Sequence, residues 1–198
     1  MIGAVPVLWV LAGPNGAGKS TYYDDFVSTI FRAPFVNADR IAEQLWGRHP
    51  ASDAEMRAAT ETAERRRAEL LSTRTSFVAE TVFSHSSKLV LMQDAIAQGF
   101  VVRLSYICVD GPELCALRVR GRVAKGGHDV PADKIAARYT RSLTHAKQAV
   151  RVAHWAIILD NTTTEWPHRP VLQYESGVLR ARKPPLPRWT KGFPGTVA

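Results

Sequence analysis

Apolar residues in this chain fall into short runs separated by polar stretches with helical spacing. Val5-Pro6-Val7-Leu8-Trp9-Val10-Leu11-Ala12 is nearly continuous and of strand length. Ser20 to Ile30 follows as a predicted helix with Tyr23, Phe26, Val27 and Ile30 on one side. Ala33 to Asp39 reads as a short strand ending in a carboxylate, and Arg40 to Trp46 as a short helix broken by Gly47 to Pro50. Ser52-Asp53-Ala54-Glu55 is a capping box, which satisfies the first free amides of a helix. That helix runs to about Leu71 or Ser72, with Met56, Ala59, Ala63 and Leu70 as its apolar stripe. Its Arg65-Arg66-Arg67 run reads as a solvated face.

Thr75 to Thr81 is the next predicted strand, closing on Glu80 and Thr81. A helix capped by Ser84, Ser86 or Ser87 extends to Gln98, where Gly99 stops it. Phe100 to Val109 is the clearest strand, apolar enough for burial on both faces. Asp110-Gly111-Pro112-Glu113 opens a helix reaching Lys125, with Leu114, Leu117, Gly121 and Ala124 along one face. Pro131 starts another, with Ile135, Tyr139, Leu143, Ala146 and Val150 apolar, and His154 to Asp160 is the last core strand. The expected fold is therefore α/β, a doubly wound parallel sheet of about five strands with helices on both sides. Residues 1–170 form its domain, and residues 171–198 add a hairpin around Glu175-Ser176-Gly177 and a Pro-rich tail packed on it.

Composition narrows the picture. A chain of 198 residues, 45% hydrophobic and 22% charged, suits one domain with a sizeable core. A net charge of +8 favours anionic partners such as nucleotides, phosphosugars, nucleic acid or an acidic protein. Cys108 and Cys115 form no C-x-x-C pair, which argues against a metal cluster or disulfide framework and for buried thiols in a reducing compartment. No basic leader precedes an apolar segment, and no apolar run approaches the ~18 residues of a membrane helix. A cytoplasmic protein without a membrane partner is expected.

The chemistry begins at Gly13-Pro14-Asn15-Gly16-Ala17-Gly18-Lys19-Ser20-Thr21, which fits the phosphate-binding pattern G-x-x-x-x-G-K-[ST] between a strand and a helix. Glycines let the backbone wrap a phosphate, and successive N–H groups and the helix N-terminus supply positive charge. Lys19 would reach the β- and γ-phosphates, and Ser20 would offer its hydroxyl to Mg²⁺.

In a parallel sheet, ligands gather at the carboxyl ends of the strands. Asp39, one strand from the phosphate loop, is the candidate base for an acceptor hydroxyl, with capping of the Arg40 helix as its plainer role. Glu80 could hold the acceptor or complete the Mg²⁺ shell, and Thr81 could bond the acceptor. Arg118 and Arg122, four residues apart on one helix face, could reach a single anion, and Gly126-Gly127-His128 could hinge a helical lid. Three activities stay open on these residues: a small-molecule kinase, a polynucleotide kinase, or a nucleotide-binding ATPase module without acceptor.

Read together, these segments resemble the zeta-toxin-like P-loop kinases. The resemblance runs over roughly residues 5–165: the phosphate loop, Val36-Asn37-Ala38-Asp39, Ala79-Glu80-Thr81, Arg118-Val119 with Arg122-Val123, Gly126-Gly127-His128-Asp129-Val130-Pro131, Arg138-Tyr139 with Arg141-Ser142-Leu143, and Asp160-Asn161. It implies ATP and Mg²⁺ as cofactors and a small-molecule acceptor such as a UDP-N-acetylsugar. It further implies Asp39 as base, Glu80, Thr81 and Arg138 on the acceptor, Arg118 and Arg122 as lid arginines, and Asn161 beside the adenine. An antitoxin protein is an implied partner; nucleic acid is a less favoured one. The chain is shorter than the larger zeta toxins and lacks room for their substrate-binding insertions.

Overall fold

The computed structural model describes residues 4–124, 126–127 and 130–196. Seven strands form one sheet: β1 (Val7–Ala12), β2 (Phe35–Val36), β3 (Phe77–Thr81), β4 (Val101–Cys108), β5 (Trp155–Asp160), β6 (Arg169–Glu175) and β7 (Val178–Arg182). Their order is β2-β3-β1-β4-β5-β6-β7. The first five run parallel, with β1 between β3 and β4. The last two join antiparallel, so the hairpin extends the sheet from about five strands to seven. It has a physical reason to do so, because the outer edge of β5 would otherwise leave a row of amides and carbonyls unpaired.

The helices are α1 (Lys19–Tyr22), α2 (Ser28–Ile30), α3 (Ala38–Trp46), α4 (Asp53–Ser72), α5 (Ser87–Ala97), α6 (Pro112–Val123) and α7 (Ala132–Val152). A π turn, Tyr23–Val27, joins α1 to α2. One sheet face carries Leu8, Val10, Leu104, Tyr106 and Ile158 under α3 to α7. The opposite face carries Trp9, Leu11, Val78, Ile107 and Leu159, which pack with Tyr22, Tyr23 and Val27 from the α1–π–α2 segment. The winding is therefore two-sided but unequal. No helix among the described residues is long and apolar enough to cross a membrane.

Four local expectations change. The π turn inserts a residue, so the inward row becomes Tyr22, Tyr23 and Val27, while Phe26 and Ile30 are exposed. On α6 the inward residues are Cys115, Ala116 and Val119, and Leu117 faces solvent. The phosphate loop lies against the backbone of this helix, so the loop residue there must lack a side chain: a Cβ at Gly16 would sit 2.6 Å from the Cys115 carbonyl oxygen. On α4, Arg67 follows Ala59 and Ala63 in one buried row instead of joining a solvated face. Finally, β2 stops at Val36 because Asn37 leaves the sheet to cap α3, its Oδ1 accepting from the Arg40 amide at 2.8 Å. The cap is thus Asn37, and Asp39 lies within the first helical turn.

The tail is ordered against the body. Phe193 is 1% exposed and its ring lies 6.2 Å from that of Tyr106, while Tyr174 Oη donates to the Pro194 carbonyl at 2.9 Å.

Candidate functional site

The chain leaves β1 at Ala12 and turns through Gly13, Pro14, Asn15, Gly16, Ala17 and Gly18 into α1. Gly18 caps the helix in the left-handed region, at φ 93°. Its missing side chain makes room for a contact from two strands away in the sheet, since a Cβ there would lie 2.3 Å from Asn161 Nδ2. Asn161 Nδ2 donates to the Ala17 carbonyl at 2.8 Å, and Asn161 Oδ1 accepts from the His168 amide at 3.2 Å. His168 Nε2 lies 3.0 Å from the Gly18 carbonyl, an acceptor, so that ring nitrogen carries the proton. The imidazole also packs 5.1 Å from the Tyr22 ring. Burial holds its pKa below the usual histidine range, against the raising effect of the Gly18 bond. The carboxyl side of the phosphate loop is thus held from the connection between β5 and β6.

Lys19 is 7% exposed. Its Nζ donates to the Pro14 carbonyl at 3.0 Å and stands 3.8 Å from Glu80 Oε1. Burial pulls its pKa down, opposed by the negative charges of Glu80 and then Asp39. Ser20 Oγ donates to Glu80 Oε2 at 3.0 Å. Glu80 can touch both because β3 is the direct neighbour of β1, with Leu11 paired to Glu80 and Ala12 to Thr81. Asp39 is more distant in the sheet, with β3 lying between β1 and the strand before it.

Beside the loop opens a cleft of about 520 Å³. It brings together Asn15, Asp39, Glu80, Thr81, Arg122 and Arg138. Thr81 also closes a turn, its Oγ1 accepting from the Phe83 amide at 3.0 Å. Arg118 is not in this cleft lining; its Nη2 donates to the Thr162 carbonyl at 3.2 Å, beside the Asn161 connection. The two arginines share a helix; Arg122 lines the cleft, while Arg118 is bonded to Thr162. Of the expected lid hinge, Gly126 and Gly127 are described, and the Gly127 amide donates to the Arg122 carbonyl at 3.0 Å. Lys125, His128 and Asp129 lie outside the described residues.

Sequence reasoning missed four side chains here. Arg67, Lys88 and Lys134 line the cleft. Only the Arg65-Arg66-Arg67 run hinted at one of them, and its burial follows from a row spacing read as apolar at Ala59 and Ala63. His168 sits in a connection without periodicity, so nothing local marked it.

The site suits a nucleotide and a hard cation. Asn15 Oδ1 is buried without a hydrogen-bond partner among the described residues. The glycine-bearing loop leaves its backbone open to an anion, and Ser20 with Glu80 offers the oxygen donors that Mg²⁺ prefers.

Comparison with known proteins agrees with this geometry. The family model described as AAA domain matches residues 8–143. An uncharacterized protein of Haemophilus influenzae is 30% identical over 146 residues, covering 67% of this chain and 96% of its own. Among solved structures, a chain of the AvrRxo1-ORF1:-ORF2 complex solved with ATP superposes with a TM-score of 0.69 at 18% identity over 90% of this chain. This chain spans 61% of that longer one. A chain from the PezAT chromosomal toxin-antitoxin system of Streptococcus pneumoniae gives a TM-score of 0.62 at 15% identity, covering 86% of this chain and 72% of its own. With a phosphate loop, a mostly parallel α/β sheet and a family match over more than half its length, the chain belongs to the AAA domain family and has a P-loop kinase-like fold.

Proposed function

We propose that the protein is an ATP- and Mg²⁺-dependent kinase of the zeta-toxin-like kind, acting in the cytoplasm on a hydroxyl of a small acceptor. The observation that carries this reading is the meeting of a phosphate loop and a carboxylate-bearing cleft: Glu80 touches Lys19 and Ser20, and Asp39 lines the same cleft. An ATPase without acceptor has no need of such a cleft beside its phosphates.

In this reading the backbone from Gly13 to Thr21 and Lys19 hold the β- and γ-phosphates. Ser20 and Glu80 would hold Mg²⁺, which when bound neutralises phosphate charge. Asp39 accepts the proton of the acceptor hydroxyl as that oxygen approaches phosphorus. Thr81 and Arg138 orient the acceptor. Arg122 faces the transferring group, whereas Arg118 and Asn161 border the nucleoside end. The resemblance makes a nucleotide sugar such as a UDP-N-acetylsugar the first acceptor to try and an antitoxin the first partner.

The test is incubation with labelled ATP and a metabolite extract, followed by mass spectrometry for products heavier by one phosphate, with Lys19→Ala as the blank. A phosphorylated product absent from the blank is expected. ATP hydrolysis with no such product would overturn the reading.

A further inference from the structure

The helices cover the two faces of the sheet unequally. On the face opposite α3 to α7, the α1–π–α2 segment packs over Trp9, Leu11, Val78, Ile107 and Leu159. Towards the amino ends of β4 and β5 the same face is open: Arg103 and Val178 are exposed, and Trp155 is 51% exposed. A hollow of about 440 Å³ lies there, with Trp9, Arg103, Trp155, Ile157, Gln173 and Arg180 in its lining.

Sheet register sets the order of side chains across this face. Trp9 pairs with Arg103, Arg103 with Trp155, Trp155 with Glu175, and Glu175 with Val178. Neighbouring strands lie about 4.8 Å apart, so these five form one row about 19 Å long. The next row, Leu11, Ser105, Ile157, Gln173 and Ala181, adds no charge. The first row is therefore apolar at its centre and ends, with a cation one strand to one side of Trp155 and a carboxylate one strand to the other. Arg103 lies 5.5 Å from the centre of the Trp9 ring and has no carboxylate partner among the described residues. Glu175 Oε2 accepts from Arg180 Nε at 3.1 Å, which leaves Oε1 open. With β5 between them, Arg103 and Glu175 do not meet within one chain.

We propose that this face is the interface of a homodimer. A two-fold axis running along the strands at Trp155, midway between two facing sheets, reverses the order of the row. Trp155 then meets Trp155 of the second copy, and Arg103 meets Glu175 of the second copy on both sides of it. The row is self-complementary, as a closed two-fold interface requires. A central tryptophan flanked by arginine is also the composition of an interface hot spot. Single-stranded nucleic acid is the competing occupant of a face bearing Trp and Arg. A phosphate backbone is repelled by Glu175, however, whereas a second copy uses it. Two rows are small against the roughly 800 Å² that a standard interface buries per partner, so a dimer of micromolar affinity is expected. The proposal stands apart from the kinase reading.

The experiment is sedimentation velocity on the full chain from about 1 to 200 µM, which should show a monomer–dimer equilibrium. Trp155→Ala should raise the Kd at least about tenfold. Arg103→Glu and Glu175→Arg should each do the same, because each sets like charges against one another twice. Mixed together, these two single variants should form a heterodimer, since every like-charge contact becomes an opposite one. The double variant Arg103→Glu/Glu175→Arg should recover by the same logic. Melting temperatures report that each variant is folded. A wild-type chain that stays monomeric, single variants that dimerise as the wild type does, or no recovery on mixing would each overturn the proposal. A monomeric chain that binds a single-stranded oligonucleotide, and loses it in Trp155→Ala, would give the face to nucleic acid instead.

Discussion

Ser20 Oγ donates to Glu80 Oε2 at 3.0 Å, which fastens the first turn of α1 to the end of β3. In the kinase reading the bond sets a carboxylate beside the hydroxyl that would hold Mg²⁺, while the other carboxylate oxygen stays 3.8 Å from Lys19. Glu80→Gln keeps the shape and removes the charge. We expect turnover to fall by about 10–100-fold, with the Mg²⁺ concentration for half-activity rising and ATP affinity in the absence of metal little changed. Steady-state kinetics across a Mg²⁺ series checks this. Unchanged metal dependence would remove Glu80 from the cation shell.

Asp39 gives the sharpest test of chemistry. Asp39→Asn should leave ATP binding within about twofold and lower phosphoryl transfer by at least ~10²-fold, the usual contribution of a positioned base. Single-turnover transfer measured beside nucleotide binding separates the two. Near-normal transfer would show that another group takes the proton.

His168 links the hairpin to the phosphate loop through the Gly18 carbonyl. Losing that hydrogen bond in His168→Ala should raise the KM for ATP by about five- to tenfold with a smaller change in kcat. Because burial lowers its pKa, the unfolded chain takes up the proton more readily than the folded one. Its contribution to stability is therefore complete above the ordinary value of 6.5 and declines as pH falls below it. Thermal melts of the wild type and His168→Gln between pH 5 and 8 should show a shallower acid decline in the variant. Parallel curves would contradict the assignment.

Gly16→Ala would place a Cβ 2.6 Å from the backbone of α6, at a position with φ +74°. Neither the clash nor the left-handed backbone can be relieved by a side-chain rotation. A drop in melting temperature together with lost ATP binding is expected, and a fully stable, ATP-binding variant would show that α6 can withdraw.

Phe193→Ala tests the tail. The ring is 1% exposed and packs near Tyr106 and Trp189. Its removal should cost about 3–5 kcal/mol and lower the melting temperature by roughly 10 °C, with ATP affinity unaffected below the transition. Differential scanning calorimetry reads the loss directly.

The sequence patterns that carried the fold were those set by backbone chemistry. The glycine-rich loop after an apolar strand, the Ser52 cap and Pro112 in a first turn all describe local hydrogen bonding, and each stands where expected. What stayed hidden depended on neighbours distant in the chain. The phase of the helix after Lys19 changes at a π turn, which no residue pattern announces. The inward face of α6 is Cys115, Ala116 and Val119, a side that the apolar spacing of Leu114 and Leu117 does not mark. Arg118 and Arg122 look equivalent by spacing, yet one meets Thr162 and the other the cleft. Arg67 looked solvated because its neighbours Arg65 and Arg66 are, and charge runs conceal which member points inward. Glu80 and Asp39 both read from the sequence as strand-end carboxylates, and only strand order puts Glu80 nearer the phosphate loop.

The bond between His168 and Gly18 spans 150 positions of the chain. A growing polypeptide exposes its phosphate loop early, but the side chains that fix the Ala17 and Gly18 carbonyls emerge only after the whole region matched by the family model, which ends at residue 143. The shape of the phosphate loop is therefore tied to the connection between β5 and β6, which supplies Asn161 and His168. A nascent or proteolytically shortened chain would keep the phosphate-binding signature in its sequence while lacking the clasp that gives that signature its shape.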